Sequence, residues 1–173
     1  MTEMQQACLD PVAGHLRHYL YPGGIFVDPR PHLVTTVLGS CVSICLWDTV
    51  CKIGGINHYM LPLRNGEGLS SPKYGNVAIP KLINKMCQLG CREDDLVGKI
   101  FGGACMWQSV TRQAGVGAQN IAQALQLLDE QGIRIISHDV GGKIGRKIVF
   151  NTENGVVLLR RIGKNQNPDR SGS

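Results

Sequence analysis

The sequence predicts a single α/β domain of the α+β type, rich in strands, with its helices set apart from the strands instead of alternating with them. Three observations carry this. Short runs of Val, Ile, Leu and Phe recur along the chain, and glycine, 22 of 173 residues, falls between them as punctuation. Two segments carry apolar residues at helical spacing. At 18.8 kDa the chain has the length of one domain with one sizeable core.

Taken in order, residues 1–18 lack a continuous apolar stretch of the kind a secretory signal needs, so they read as an N-terminal extension of a cytoplasmic protein. The folded domain is expected over 19–163. Strands are expected at 24–27, 33–38, 42–47 and 51–58, the last two joined by a turn at Asp48 and Thr49. A helix over 76–89 places Val77, Leu82, Ile83, Met86 and Leu89 on one face, and Gly90 stops it. Pro80 must then lie in its first turn, because deeper in the helix it would cost about 3 kcal/mol. A strand at 97–101 precedes a second helix over 120–131, which buries Ile121, Ala124, Leu125 and Leu128 and takes Asn120 as its N-cap. Strands at 133–138, 147–150 and 156–161 complete the domain, the last two forming a hairpin. Residues 164–173 are polar and read as a flexible tail.

Composition excludes several classes of function. With 43% hydrophobic and 18% charged residues the chain is neither disordered nor a coiled coil. Its apolar runs are strand-length, far short of the ~20 residues that span a bilayer. The net charge of +5 is modest, and its two clusters, Lys143-Arg146-Lys147 and Arg160-Arg161-Lys164, sit beside apolar runs without interleaved aromatics. They read as solvated strand faces, and no nucleic-acid partner is expected. Gly102-Gly103 and Gly141-Gly142 match neither a dinucleotide nor a phosphate-loop spacing, so no cofactor is expected.

Seven cysteines without a secretion signal argue for reduced thiols. A zinc site built from Cys41, Cys45, Cys87, Cys91 and His58 fails on spacing. Cys41 and Cys45 on one strand would stand roughly 13 Å apart at ~3.3 Å per residue, too far for two ligands of one tetrahedral ion. No metal is therefore expected. Cys8 reads as a tail residue, and Cys45, Cys51, Cys87, Cys91 and Cys105 as small buried hydrophobes. Cys41 differs because it follows Gly39-Ser40 at a junction between two apolar strands. A tight turn there places backbone N–H groups beside the sulfur, where they can lower its pKa and later hold an oxyanion. If the chain doubles back through the turn at Asp48, His58 returns towards Cys41. A Cys–His pair is the minimal apparatus for nucleophilic acyl transfer.

The words around that pair are distinctive. Thr35-Thr36-Val37-Leu38-Gly39-Ser40-Cys41-Val42-Ser43-Ile44-Cys45-Leu46-Trp47-Asp48, followed by Lys52-Ile53-Gly54-Gly55-Ile56-Asn57-His58-Tyr59-Met60-Leu61-Pro62, closely resembles the CheD family, the chemoreceptor glutamine deamidases of bacterial chemotaxis. Lys73-Tyr74-Gly75-Asn76, Lys99-Ile100-Phe101-Gly102-Gly103-Ala104 and Asp139-Val140-Gly141-Gly142 with Gly145-Arg146 extend the resemblance over roughly 19–162. It implies packed mixed or antiparallel sheets flanked by helices, similar to the catalytic domain of cytotoxic necrotizing factor toxins. It makes Cys41 the nucleophile, His58 its base and acid, and Thr35 the residue that orients the imidazole. Thr36 is adjacent, strand alternation sends the two to opposite faces, and only one can serve. Gly39 and Ser40 then support the oxyanion, and Asn57 and Asn120 contact substrate.

The reaction so implied hydrolyses a glutamine side-chain amide on a chemoreceptor through a thioester, without metal or cofactor. A CheC-type phosphatase is implied as a second partner. The chain departs from the family pattern at Pro80 and in Val116-Gly117-Ala118-Gln119-Asn120, which lacks the usual charged residue before the asparagine. The rival reading is a non-catalytic module that docks on receptors or on that phosphatase, with Cys41 a structural thiol.

Overall fold

Two mixed sheets and two helices stack as three layers in a computed structural model, which describes residues 14–64, 66, 70–105 and 115–163. The described elements are β1 (Leu16–Tyr19), β2 (Ile25–Val27), β3 (His32–Leu38), β4 (Val42–Asp48), β5 (Gly54–Asn57), α1 (Gly75–Gln88), a 3-10 turn (Glu93–Asp95), β6 (Leu96–Gly102), α2 (Val116–Glu130), β7 (Arg134–Val140), β8 (Gly145–Asn151) and β9 (Val157–Ile162). One sheet has the order β1-β3-β8-β9 and the other β2-β5-β4-β6-β7. Pairing is antiparallel except between β1 and β3 and between β6 and β7. The α/β class and the single strand-rich body are thus as the sequence leads one to expect.

The five-stranded sheet is the middle layer. On β4, Val42, Ile44 and Leu46 pack against Ala78, Ile79, Leu82 and Met86 of α1 and Ala124 and Leu128 of α2. Cys45 of the same strand faces the other way and packs with Val34 and Leu38 of β3 and Ile148 and Phe150 of β8. A strand covered on both faces favours apolar residues on both sides, and Val42 to Trp47 is apolar except at Ser43, whose hydroxyl donates to the Asn57 carbonyl. The layer between the two sheets is where the site lies.

Several boundaries differ from those expected. Leu16 to His18, expected in the extension, join Tyr19 in a strand parallel to β3. Its side chains are all exposed, so no apolar alternation marks it in the sequence. Helix α1 begins at Gly75, which puts Pro80 in its second turn and not its first. Pro80 is exposed, so the carbonyl it leaves unpaired one turn back lies on the solvent side. The apolar stripe of α1 is Ala78, Ile79, Leu82, Ile83 and Met86, while Leu89 is exposed. Helix α2 begins at Val116, so Asn120 is a buried interior residue and not the cap, and Leu125 faces solvent.

Arg146 corrects the reading of the basic clusters. It is buried, its Nη2 lies 2.8 Å from Asp139 and donates to the Gly141 carbonyl at 2.9 Å. Asp139 also takes Nη2 of Arg161 at 2.6 Å. Cys51 and Cys105 are exposed, against the expectation that both are buried. Cys8 and the tail 164–173 lie outside the described residues.

Candidate active site

Gly39, Ser40 and Cys41 link β3 to β4, and the chain holds all three of their carbonyls. The Ala104 N–H donates to Gly39 O at 2.9 Å, Asn120 Nδ2 to Ser40 O at 3.0 Å, and the Gly103 N–H to Cys41 O at 2.8 Å. The approach from Gly102 is so close that a Cβ there would overlap the Cys41 carbonyl, and Gly102 also takes φ +104. Both facts demand glycine at this position. The turn that presents Cys41 is therefore fixed from its carbonyl side.

His58 comes back to this turn through the β4–β5 pairing. Cys45 faces Ile56 in the register, and three positions further on Val42 and Tyr59 exchange two backbone hydrogen bonds of 3.1 and 3.0 Å. By that register Cys41 lies opposite Met60, which makes His58 its diagonal neighbour on the same face. Diagonal cross-strand neighbours are ~7–8 Å apart at the backbone and within reach of side-chain contact. The face is the one turned to the four-stranded sheet, where Cys41 packs against the cluster of Cys45, Ile56, Val34 and Leu38.

From across that layer Thr36 meets the imidazole. Its hydroxyl donates to Leu20 O at 2.8 Å and lies 2.7 Å from Nδ1 of His58. A threonine hydroxyl has one proton. With that proton on Leu20, the oxygen accepts from Nδ1–H, and Nε2 is left as the lone-pair nitrogen. Nε2 is buried and has no hydrogen-bond partner among the described residues. Burial lowers the His58 pKa to about 4, so the ring is neutral at pH 7. Burial likewise raises the Cys41 thiol above its ordinary value, outweighing the lowering by its own backbone N–H. The expectation of a thiol acidified by the turn is thus corrected: the resting pair is thiol and neutral imidazole.

The other candidate residues divide clearly. Thr35 is next to Thr36 but alternation turns it to the opposite face of β3, away from His58. The hydroxyl that meets the imidazole is that of Thr36, the alternative the sequence left open. Asn57 is buried, and its Oδ1 accepts the Ile44 N–H at 2.9 Å while its carbonyl takes the Ser43 hydroxyl. Asn120 is also buried, and its Nδ2 donates to Ser40 O and Met60 O, both at 3.0 Å, while its own carbonyl takes the Tyr59 hydroxyl. Both asparagines therefore brace the strands that carry Cys41 and His58. Neither offers substrate an exposed side chain. Sequence reading missed Tyr59 and the Leu20 carbonyl as parts of the frame, because neither residue type marks a site by itself.

Donor atoms for a metal do not gather here. Among the described residues, Asp48, Cys51 and Cys91 bring theirs within 4.8 Å of one another, at the far end of β4.

The fold and the site thus define a two-sheet α/β protein with a half-buried cysteine and a buried histidine and threonine between its sheets. Residues 60–161 match the family model described as CheD chemotactic sensory transduction. A relative from Trichlorobacter lovleyi, named probable chemoreceptor glutamine deamidase CheD, is 47% identical over 151 residues, covering 87% of this chain and 93% of its own. Relatives of the same name from Sulfurimonas denitrificans and Methanococcus maripaludis are 46% and 44% identical, covering 87% and 80% of this chain and 97% and 90% of theirs. The chain belongs to the CheD family. No helix among the described residues is long and apolar enough to cross a membrane.

Proposed function

We propose that this protein is a cytoplasmic chemoreceptor glutamine deamidase in which Cys41 is the nucleophile, His58 the base and acid, and Thr36 the residue that holds the imidazole. One observation supports the reading: the Thr36 hydroxyl at 2.7 Å from Nδ1 leaves Nε2 as the lone-pair nitrogen of a histidine that the register sets diagonal to Cys41. The relatives' names supply the substrate.

The chemistry follows from the resting protonation states. Nε2 of His58 takes the thiol proton as Sγ of Cys41 attacks the carboxamide carbon of a receptor glutamine. The N–H groups of Ser40 and Cys41 are the donors for the oxyanion, on a turn whose carbonyls are already held. His58 returns the proton to the departing nitrogen, ammonia leaves, and a thioester remains. Water then attacks the thioester, His58 takes its proton and passes it to the Cys41 sulfur, and the product is glutamate. The burial that keeps His58 neutral keeps it ready as a base at each of these steps.

A protein substrate also suits the surroundings. Tyr21, Met60, Leu61 and Leu63 are exposed apolar side chains in the segments flanking His58. The Tyr21 carbonyl caps the turn at Gly24, and the Gly23 N–H donates to the His58 carbonyl at 2.7 Å. An apolar rim of this kind fits the surface of a helical receptor better than a small soluble amide. A CheC-type phosphatase belongs to the same proposal as a second partner. Ammonia release from a purified receptor cytoplasmic fragment tests the reading, with Cys41→Ala as the control that must release none.

A further inference from the structure

The strand that starts beside Cys41 ends in a second cluster of reactive side chains. Asp48 closes β4, Cys51 lies in the turn that follows, and Cys91 lies just beyond α1. The carboxylate oxygen and the two sulfurs lie within 4.8 Å of one another. We propose that Asp48, Cys51 and Cys91 form a three-donor binding site for a thiophilic divalent cation such as zinc, with water as the fourth ligand.

The separation of the donors fits. Tetrahedral zinc with Zn–S bonds of ~2.3 Å needs donors roughly 3.8 Å apart, so the cluster needs only a small contraction. Its parts are also positioned in advance. Oδ1 of Asp48 accepts the N–H groups of Val50 at 2.8 Å and Cys51 at 2.7 Å, and Oδ2 accepts the N–H of Arg92 at 3.3 Å. Those bonds fix the carboxylate and bring both cysteine-bearing segments to it, while Oδ2 keeps a lone pair for a metal. Cys91 is set by the end of α1: Gly90 takes φ +94, its N–H donates to Cys87 O, and the Cys91 N–H donates to Met86 O at 3.2 Å. Cys87 sits in the last turn of that helix and is half-buried. The Cys51 sulfur lies 3.7 Å from the Gly90 carbonyl, so the turn and the helix end already touch.

This site is separate from the one proposed for deamidation. Cys41 precedes β4 and Asp48 is its seventh and last residue, so the two stand seven steps apart, roughly 23 Å at ~3.3 Å per residue. The zinc set rejected on the sequence joined Cys87 and Cys91 to Cys41, Cys45 and His58; the fold places the last three in the layer between the sheets and brings Cys91 to Asp48 and Cys51 instead. A cation at Asp48 would clamp the β4–β5 turn to the end of α1.

The test uses the full-length protein, purified with reductant and stripped of metal by a chelator. Titration with cobalt should give a near-ultraviolet sulfur-to-metal band that saturates at one ion per chain and disappears when zinc is added. Zinc should protect Cys51 from iodoacetamide while the exposed Cys105 reacts unchanged. Cys51→Ser, at an exposed position, should reduce the band's intensity and weaken zinc binding about tenfold or more, and Cys41→Ser should leave both intact. Absence of the band, equal Cys51 labelling with and without zinc, or full binding in Cys51→Ser would overturn the proposal. So would a Cys51–Cys91 disulfide in protein alkylated at the moment of cell lysis.

Discussion

The Thr36 hydroxyl lies 2.7 Å from Nδ1 of His58 and spends its single proton on the Leu20 carbonyl. That pair of contacts determines which imidazole nitrogen is free: it is Nε2, on a histidine that the β4–β5 register sets diagonal to Cys41. Thr36→Ala should lower kcat roughly tenfold to a hundredfold, a part of the ~10²–10⁴ that a positioned base contributes. Thr36→Ser should restore most of it, and Thr35→Ala should leave kcat close to wild type. Steady-state kinetics on a receptor fragment decide it, and a larger loss in Thr35→Ala would return the orienting role to that residue.

Acid should act late on catalysis and earlier on stability. Because burial holds the folded pKa of His58 at about 4, the base stays neutral and kcat/KM should be flat from pH 7 down to about 5. An acid limb near the ordinary histidine value would contradict this. Stability follows the opposite reading of the same shift. Between the unfolded value near 6.5 and the folded value of about 4, the unfolded chain binds a proton that the folded chain refuses. Stability should therefore fall as the pH drops through that window, by up to about 3 kcal/mol for a shift of this size. Denaturant titrations at several pH values measure it, and His58→Gln should flatten the dependence.

Resting thiols should label in order of access. Cys51 and Cys105 are exposed, whereas burial raises the pKa of Cys41 and pushes that of Cys91 up to about 12. Brief iodoacetamide treatment of metal-free protein at neutral pH should modify Cys51 and Cys105 before Cys41. Peptide mapping reads this directly. Fastest labelling at Cys41 would mean that a thiolate–imidazolium pair exists before substrate binds.

The apolar rim should govern affinity more than chemistry. Tyr21→Ser combined with Met60→Ser should raise KM for a receptor fragment several-fold with kcat little changed, because on the proposed reading these exposed side chains meet the substrate surface and not the reacting atoms. An unchanged KM would remove the rim from the interface.

Much of this was legible in the sequence, and the exceptions have physical causes. Strand positions followed from apolar runs, and Cys41 and His58 stood out because one turn separates the strands that carry them. Alternation showed that Thr35 and Thr36 face opposite ways, but which face meets the histidine depends on how the second sheet lies over the first. That is a tertiary fact. Arg146 read as a solvated cation because its charge partner, Asp139, lies on β7 and reaches it only through the fold. Asn120 read as a cap because asparagine usually serves there, and its bonds to Ser40 and Met60 join segments far apart in the chain. Cys51 and Cys91 likewise meet only when the turn after β4 docks on the end of α1.

The most direct measurement is the intact mass of a receptor cytoplasmic fragment after incubation with the wild-type protein, with Cys41→Ala and with His58→Ala. Wild type should add to each modified site the mass difference between an amide NH2 and an OH, and peptide sequencing should place it at glutamines. Neither variant should change the mass, and the double variant should be no worse than either single one, since the two side chains act as one unit. A fragment left unchanged by wild type, or modified equally by Cys41→Ala, would contradict a deamidase built on Cys41 and His58.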